Sequence, residues 1–455
     1  MTETSNSASS SFTPKRLGDA TFLSPVRLSH SFGDLRSNYV RDDEKVLYEI
    51  ELSRELPVIH SEDLAQLEKA GPREKLFFEP AGVHAAIVTC GGLCPGLNDV
   101  IRSVAMTLWE HYGVRRVTGF RHGYQGLLAD LSSTALPLDP SGVANIHRHG
   151  GTILGSARGG GERTGEIVDT LVRHKVDMLF TIGGDGTQRA ALQLTEEIAR
   201  RKLMISVVGI PKTIDNDLSF VERSFGFETA VSEAVRAVDG AHTEARDALR
   251  GVGLVQLMGR ESGFIAAHAA LASNEADFVL IPEIPFQLEG ENGLLHHLAE
   301  RIDRNGHALI VVAEGAGQSY VEAQGTDAGG NRKLGDIGIF LKERINSHFK
   351  KGTPDEVSLK YIDPSYTIRS QAANPSDSIY CARLGSNAVH AAMSGRTACI
   401  VGMVNHRLVH VPIDAASGTR NCVNPEGPLW RDVIFNTGQP MLMTDAVFSR
   451  RPKMP

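Results

Sequence analysis

From about residue 80 onward, short apolar runs closed by glycine alternate with stretches whose apolar residues recur at helical spacing. The sharpest instance covers residues 177–218. Residues 178–182 and 203–210 are the apolar runs of two buried strands, and the segment between them carries the 3.6-residue period of an amphipathic helix. Such a unit reads as βαβ, with parallel strands and a right-handed crossover. Similar runs predict strands over residues 84–89, 115–119 and 252–257, another ending at residues 311–315, and a helix from Asn98 to about Tyr112. Strands alternating with helices in this way predict an α/β protein. Ahead of residue 80 the pattern thins. Residues 1–45 are rich in Ser, Thr and charge, which predicts a mobile or surface-draped segment. Residues 63–69 (DLAQLEK) predict a short amphipathic helix, and the globular core is expected from about Phe77.

Composition narrows the classes. The chain has 455 residues, 41% of them hydrophobic and 22% charged, the ordinary balance of a soluble globular protein of about three domains. A net charge of −7 supplies no basic field for nucleic acid or a membrane surface, so anion binding must come from local groups. The five cysteines are scattered. Cys90 and Cys94 have no second pair to complete a zinc site, and reduced thiols in a cytoplasm are the expectation. No run reaches the ~18 apolar residues of a membrane span, and the first residues carry no apolar signal core.

Polar chemistry sits where the strands end. Gly183-Gly184-Asp185-Gly186-Thr187 follows one central strand, and Lys212-Thr213-Ile214-Asp215-Asn216-Asp217 follows the next. Carboxyl ends of neighbouring parallel strands are where open α/β sheets bind ligands, so both clusters are expected to face one crevice. Asp185 is placed either to hold Mg²⁺, which accepts one or two carboxylates plus substrate phosphates, or to cap the next helix. Asp215 and Asp217 flank an asparagine and follow Lys212 and Thr213. A loop of such mixed charge suits a proton-accepting carboxylate beside phosphate-handling groups better than a plain turn. Gly91-Gly92 after the first strand is either a phosphate cradle or a tight turn needing positive φ. The run 149–163 holds Arg158 and Arg163 among six glycines. It is either a solvated loop or a mobile segment able to close over a polyphosphate. His147 and His149 are expected to be exposed.

Gly91-Gly92, Gly155-Ser156-Ala157-Arg158, the GGDGT and PKTIDND segments, Met258-Gly259-Arg260, Val312-Ala313-Glu314-Gly315 and the late segment 361–369 (YIDPSYTIR) stand in the order and spacing of the phosphofructokinase family. The resemblance covers about residues 80–420. The long N-terminal extension, PKTIDND and IDPSYTIR resemble the branch that holds plant and trypanosomal ATP-dependent enzymes, which lies close in sequence to pyrophosphate-dependent ones. It implies an α/β protein of two Rossmann-like lobes with mainly parallel sheets and the active site in the cleft between them. Residues 1–78 would form a partly disordered extension. Residues 79–226 and 369–418 would form the larger, nucleotide-binding lobe, and residues 227–368 and 419–455 the smaller, sugar-phosphate lobe.

The resemblance also implies roles. The activity would be transfer of the ATP γ-phosphoryl group to the 1-hydroxyl of fructose 6-phosphate, with Asp215 as general base and Mg²⁺ on Asp185. Thr213 and Arg260 would stabilise charge on the moving phosphoryl group. Gly92, Arg158, Gly159, Gly184, Asp185, Gly186 and Thr187 would cradle the nucleotide phosphates. Ile214, Met258, Gly259 and Glu314 would line the sugar site, and Tyr366, Thr367, Ile368 and Arg369 would face its 6-phosphate. Gly186 is the small residue of ATP users, whereas Lys212 is the residue of pyrophosphate users. An excluding carboxylate discriminates more strongly than an added cation, so ATP is the expected donor. The family's cross-subunit arginines are replaced here by Gly251, with Arg250 beside it, and by Lys360. Arg121 likewise stands where bacterial relatives have a tyrosine near the adenine. The resemblance implies a homo-oligomer, dimer or tetramer. A pyrophosphate-dependent enzyme and a catalytically weak nucleotide or sugar-phosphate sensor are the rival readings.

Overall fold

The computed structural model describes residues 12–50, 65–128, 135–322, 325, 333–350, 352–417 and 420–445. It divides into two compact units. The first takes residues 1–214, 218–227 and 369–420, and the second takes residues 215–217, 228–368 and 421–455. Residues 1–11, part of the segment expected to be disordered, lie outside the described residues, as do Asp63 and Leu64.

The first unit is built on a nine-stranded sheet. Its order from edge to edge is Lys45–Leu47, Gln66–Lys69, Arg407–Pro412, Cys399–Val404, Ser206–Pro211, Met178–Gly183, His84–Thr89, Arg116–Phe120 and Ala135–Pro137. The five strands from Cys399–Val404 to Arg116–Phe120 pair in parallel, and the outer strands run antiparallel. Every residue of His84–Thr89, Met178–Gly183 and Ser206–Pro211 is buried. Strands covered on both faces have no polar side to alternate with, which is why they read as unbroken apolar runs. The helices Thr164–Arg173 and Asp185–Arg200 pack together, and the latter lies against the two central strands. Leu97–Met106, which continues as a wider π turn over Thr107–His111, packs on Pro375–Met393. The strand at 178–183, the helix Asp185–Arg200 and the parallel strand at 206–211 form the βαβ unit expected from the sequence.

The register decides where chemistry can gather. Thr89 pairs with Ile182, and Gly183 with Pro211, so three neighbouring strands end level. The segments after them, 90–92, 184–187 and 212–213, therefore leave the sheet side by side.

The second unit carries a four-stranded sheet, all parallel, in the order Phe278–Leu280, His307–Ala313, Gly251–Leu257, Ser358–Ile362. Leu257 pairs with Ala313, which sets Met258 and Glu314 beside each other just past the strand ends. Its core is aliphatic and aromatic, with Leu254, Phe278, Leu298, Ile310 and Leu341 among the buried residues.

Two expectations are corrected at the N-terminal side. Gln66–Lys69 is a strand, not part of a helix, and the core begins before Phe77, because Leu67 is fully buried. The reason is tertiary. Lys69 and Glu68 pair with Val409 and His410, and ladder bonds plus burial outweigh a weak local helical preference. Glu68 points inward onto a cluster of charge. Its carboxylate accepts from Arg396 Nε, from Arg73 Nη2 at 3.1 Å, from Arg16 Nη2 at 3.2 Å and from His410 Nδ1 at 3.0 Å. Asp42 takes Arg396 Nη2 at 2.7 Å and Arg73 Nε at 2.9 Å. A segment that reads as a drape is thus bonded through its Arg16 and Asp42 to the buried Glu68 and Arg396.

Candidate active site

In the first unit, the turn after His84–Thr89 is sewn to the neighbouring strand and to the loop 155–158. Cys90 N donates to Ile182 O at 2.8 Å, Gly91 N to Ala157 O at 3.0 Å and Ser156 Oγ to Gly91 O at 2.6 Å. Asn98, near the start of the following helix, holds the same loop from below. Its Oδ1 accepts from Ile153 N at 2.9 Å, and its Nδ2 donates to His149 O at 3.0 Å. The 149–158 segment is therefore tied down over most of its length, and Arg158 and Gly159 are its exposed end. Gly91 has φ of +86°, as a tight turn requires, and a Cβ there would stand 3.5 Å from Lys212 Nζ. The Lys212 ammonium lies against the Gly91 backbone, and the Lys212 residue is buried. Lys212 N donates to Gly183 O at 3.0 Å. Burial pushes the neighbouring Cys90 thiol up to about 12, so it stays protonated and unreactive.

The GGDGT segment opens a helix. Gly184 occupies the cap position and makes no side-chain cap, while Asp185 is the first helical residue. The capping role for Asp185 is thereby excluded. Its carboxylate is instead partly exposed, paired at 2.5 Å with Arg189 one turn on, and favourably placed at the positive end of the helix. Gly183 is required, since a Cβ there would meet Thr187 Oγ1 at 2.3 Å. Gly186 is not required. A Cβ at Gly186 meets only the tip of Arg189, at 4.0 Å, and its φ is not positive. Thr187 is buried and anchored by Tyr124, whose hydroxyl donates to its carbonyl at 2.8 Å.

The loop after Pro211 divides between the units at residue 214. Thr213 O accepts from Ser224 Oγ at 2.5 Å, and Ile214 is buried. Asn216 adopts the left-handed conformation at φ +58°, so Asp215 and Asp217 flank a sharp reversal.

In the second unit, Asp215 lies beside the MGR turn. Its Oδ2 accepts from Arg260 N at 3.4 Å, and its carbonyl from Ser262 Oγ at 3.1 Å. Asn421 N donates to Asp217 O at 2.9 Å. Gly259 and Gly315 let two turns interlock. Gly259 has φ +135°, Gly315 N donates to Gly259 O at 3.0 Å, and a Cβ on Gly315 would strike Arg260 O at 1.9 Å. Met258, Gly259, Arg260, Glu314 and Asp215 are thereby gathered around one pair of strand ends.

The late segment is less convergent. Tyr366 is 78% exposed and Thr367 is exposed, whereas Ile368 is fully buried and anchors the short helix Ser365–Arg369 rather than presenting its side chain. Lys360 is exposed and stands 4.0 Å from Glu244, and Arg250 pairs with Asp303 at 2.7 Å. Arg369 counts with the first unit and Tyr366 with the second. Sequence reasoning missed Ser262, Ser224 and Glu283. Ser262 stands two residues past the MGR arginine, and Glu283, which accepts from Gly263 N and Val423 N, has only Ile and Pro as its nearest neighbours in the sequence.

The donor set suits Mg²⁺ supplied with phosphate. Among the described residues no three His, Cys, Asp or Glu side chains are grouped to hold a metal, while Asp185 offers one accessible carboxylate beside a glycine turn. One carboxylate is enough when phosphates and waters complete an octahedron.

A profile of the family described as Phosphofructokinase matches residues 84–392. The chain is 53% identical over 415 residues to the "ATP-dependent 6-phosphofructokinase" of Borreliella burgdorferi, covering 90% of this chain and 92% of that protein. It is 49% identical over 382 residues to the "ATP-dependent 6-phosphofructokinase" of Trypanosoma cruzi, covering 83% and 78%. Among solved structures, the pyrophosphate-dependent phosphofructokinase from Marinobacter aquaeolei superimposes with a TM-score of 0.64 over 82% of this chain and 98% of that one. At 19% identity this likeness speaks for the fold alone.

Proposed function

The chain belongs to the phosphofructokinase family, and on that footing we propose that it is an ATP-dependent 6-phosphofructokinase. It transfers the γ-phosphoryl group of ATP to the 1-hydroxyl of fructose 6-phosphate, giving fructose 1,6-bisphosphate and ADP. The observation that carries the reading is the coincidence of Asp215 with the MGR turn, its carboxylate 3.4 Å from Arg260 N.

Phosphoryl transfer asks the protein for position and charge stabilisation rather than covalent chemistry. Asp215 is the general base that takes the proton from the attacking hydroxyl. The Arg260 N–H holds its Oδ2, fixing the orientation of the carboxylate toward the sugar. Arg260 and Thr213 stabilise charge on the moving group. Gly92, Arg158, Gly159, Gly184, Gly186 and Thr187 hold nucleotide phosphates, aided by the positive end of the helix Asp185–Arg200. Asp185 holds Mg²⁺, which neutralises phosphate charge when bound. Glu314 accepts from sugar hydroxyls, and Tyr366, Thr367 and Arg369 contact the 6-phosphate, with Ile368 as their buried anchor.

ATP is favoured as donor on structural as well as sequence grounds. The open space at Gly186 leaves room for the α-phosphate, and an aspartate there would fill it with a repelling anion. The relatives at 49% and 53% identity carry the ATP-dependent name. We further infer a homo-oligomer in which Lys360, and Arg250 just before the adjacent strand Gly251–Leu257, serve a neighbouring chain. The test of the reading is turnover of fructose 6-phosphate with ATP against turnover with pyrophosphate.

A further inference from the structure

Glu283 follows the strand Phe278–Leu280 in the sequence Ile281-Pro282-Glu283-Ile284-Pro285, with no polar neighbour to mark it. Its Oε1 accepts two backbone N–H bonds from distant parts of the chain, Gly263 at 3.0 Å and Val423 at 2.7 Å. Those two residues sit at the ends of the two segments that grip the 215–217 turn. On one side, Arg260 N bonds Asp215 Oδ2 and Ser262 Oγ bonds Asp215 O, immediately before Gly263. On the other, Asn421 N bonds Asp217 O, two residues before Val423. Cys422 Sγ also reaches Glu261 O at 3.5 Å, so the two segments touch between these points.

We propose that Glu283 is a positioning residue for the general base, one carboxylate oxygen that locks together the two segments holding Asp215 and Asp217. The proposal rests on the reading of Asp215 as base. The packing around this brace is close. Gly263 comes so near that a Cβ there would stand 2.3 Å from Ile281 and 3.1 Å from Glu283 Oε2. Gly263 also caps the helix Phe264–Ser273 with no side-chain cap of its own, so Glu283 supplies the acceptor for that N–H. Ser262 is 1% exposed, and its hydroxyl donates to Asp215 O. Burial raises the pKa of Glu283 above its ordinary value, and the N–H bonds from Gly263 and Val423 pull the other way by stabilising the carboxylate.

The effect of a misplaced base is on the chemical step. A displacement of about 1 Å at a reacting group costs on the order of 10²-fold. Glu283→Ala is therefore expected to lower kcat at least tenfold while the KM for ATP stays within about twofold. Glu283→Gln keeps an oxygen at the same reach, and is expected to recover a third or more of parental kcat. The decisive arrangement is a double-mutant cycle with Asp215→Asn, read by single-turnover transfer with folding checked by thermal melting. If Glu283 acts through Asp215, Glu283→Ala adds nothing further in the Asp215→Asn background. Full additivity, an unchanged kcat in Glu283→Ala, or a Gln variant as impaired as Ala would each overturn the proposal. If Glu283→Ala does not fold, Glu283→Asp withdraws the oxygen by one methylene and is judged by the same criteria. Near-normal transfer by Asp215→Asn alone would instead overturn the assignment of the base, whatever Glu283 does.

Discussion

The backbone N–H of Arg260 reaches Oδ2 of Asp215 across 3.4 Å, joining residues 45 apart in the chain. The donor is main chain, so this bond does not depend on what the Arg260 side chain does. Asp215→Asn keeps the shape and an acceptor oxygen but removes the proton acceptor. General-base catalysis contributes roughly 10²–10⁴-fold, so kcat is expected to fall by that range with little change in KM for ATP. Steady-state kinetics with both substrates varied will check it, and near-normal kcat would remove Asp215 from the role.

The donor prediction turns on Gly186. Because a Cβ there meets only a flexible arginine tip at 4.0 Å, Gly186→Asp is expected to fold with an unchanged melting temperature. Its kcat/KM for ATP should drop far more than any activity with pyrophosphate. A variant that uses ATP as well as the parent would show that the space at Gly186 does not admit the α-phosphate.

Much of this site was legible because parallel strands write themselves as unbroken apolar runs, and the glycines that end them mark where ligands gather. The strands at 84–89, 178–183 and 206–211 and the clusters after them could be read for that reason. Ser262 and Glu283 could not. Each acts through a bond to a distant backbone, and a single polar residue among apolar neighbours carries no periodic signal. The strand Gln66–Lys69 was misread for a related reason. Its partner, His410, lies 342 residues away from Glu68, and a local reading of DLAQLEK sees only the helical spacing.

That long-range pairing makes a stability prediction. The Arg396 side chain is 1% exposed and depends on Glu68 and Asp42 for its counter-charge. Glu68→Ala would leave a buried guanidinium short of a partner, at a cost of about 3–5 kcal/mol. Denaturant unfolding should show the midpoint shifting without a change in slope, and a loss under about 1 kcal/mol would contradict the account.

The same cluster sets a pH dependence. Burial pushes His410 down from 6.5 to about 4, its bond to Glu68 notwithstanding. Between those values the unfolded chain binds a proton that the folded chain refuses, so stability falls as pH drops through about 6.5 to 4. Burial opposes ionisation of Glu68 and Asp42 too. Even so, His410 and the arginines hold Glu68 well below the ordinary carboxyl range, and Arg396 and Arg16 hold Asp42 at about 2. The carboxylates therefore extend the loss below about pH 4.5. Melting temperature followed from pH 7 to 4 is expected to decline throughout, and a flat profile would contradict the assignment.

Assembly is tested by complementation. Lys360 is exposed, with Glu244 at 4.0 Å, and on the proposed assembly it would serve a neighbouring sugar-phosphate site. Asp215→Asn and Lys360→Ala, each inactive alone, should regain activity when mixed under conditions of subunit exchange. Hybrid sites then combine an intact Asp215 with an intact Lys360. No recovery despite demonstrated exchange would return Lys360 to its own chain.

The most direct measurement is initial velocity of the purified full-length chain with fructose 6-phosphate and Mg²⁺, donor varied between ATP and pyrophosphate, reading formation of fructose 1,6-bisphosphate. The account predicts saturable turnover with ATP and at most a trace with pyrophosphate. Comparable rates with the two donors, or none with either, would contradict it.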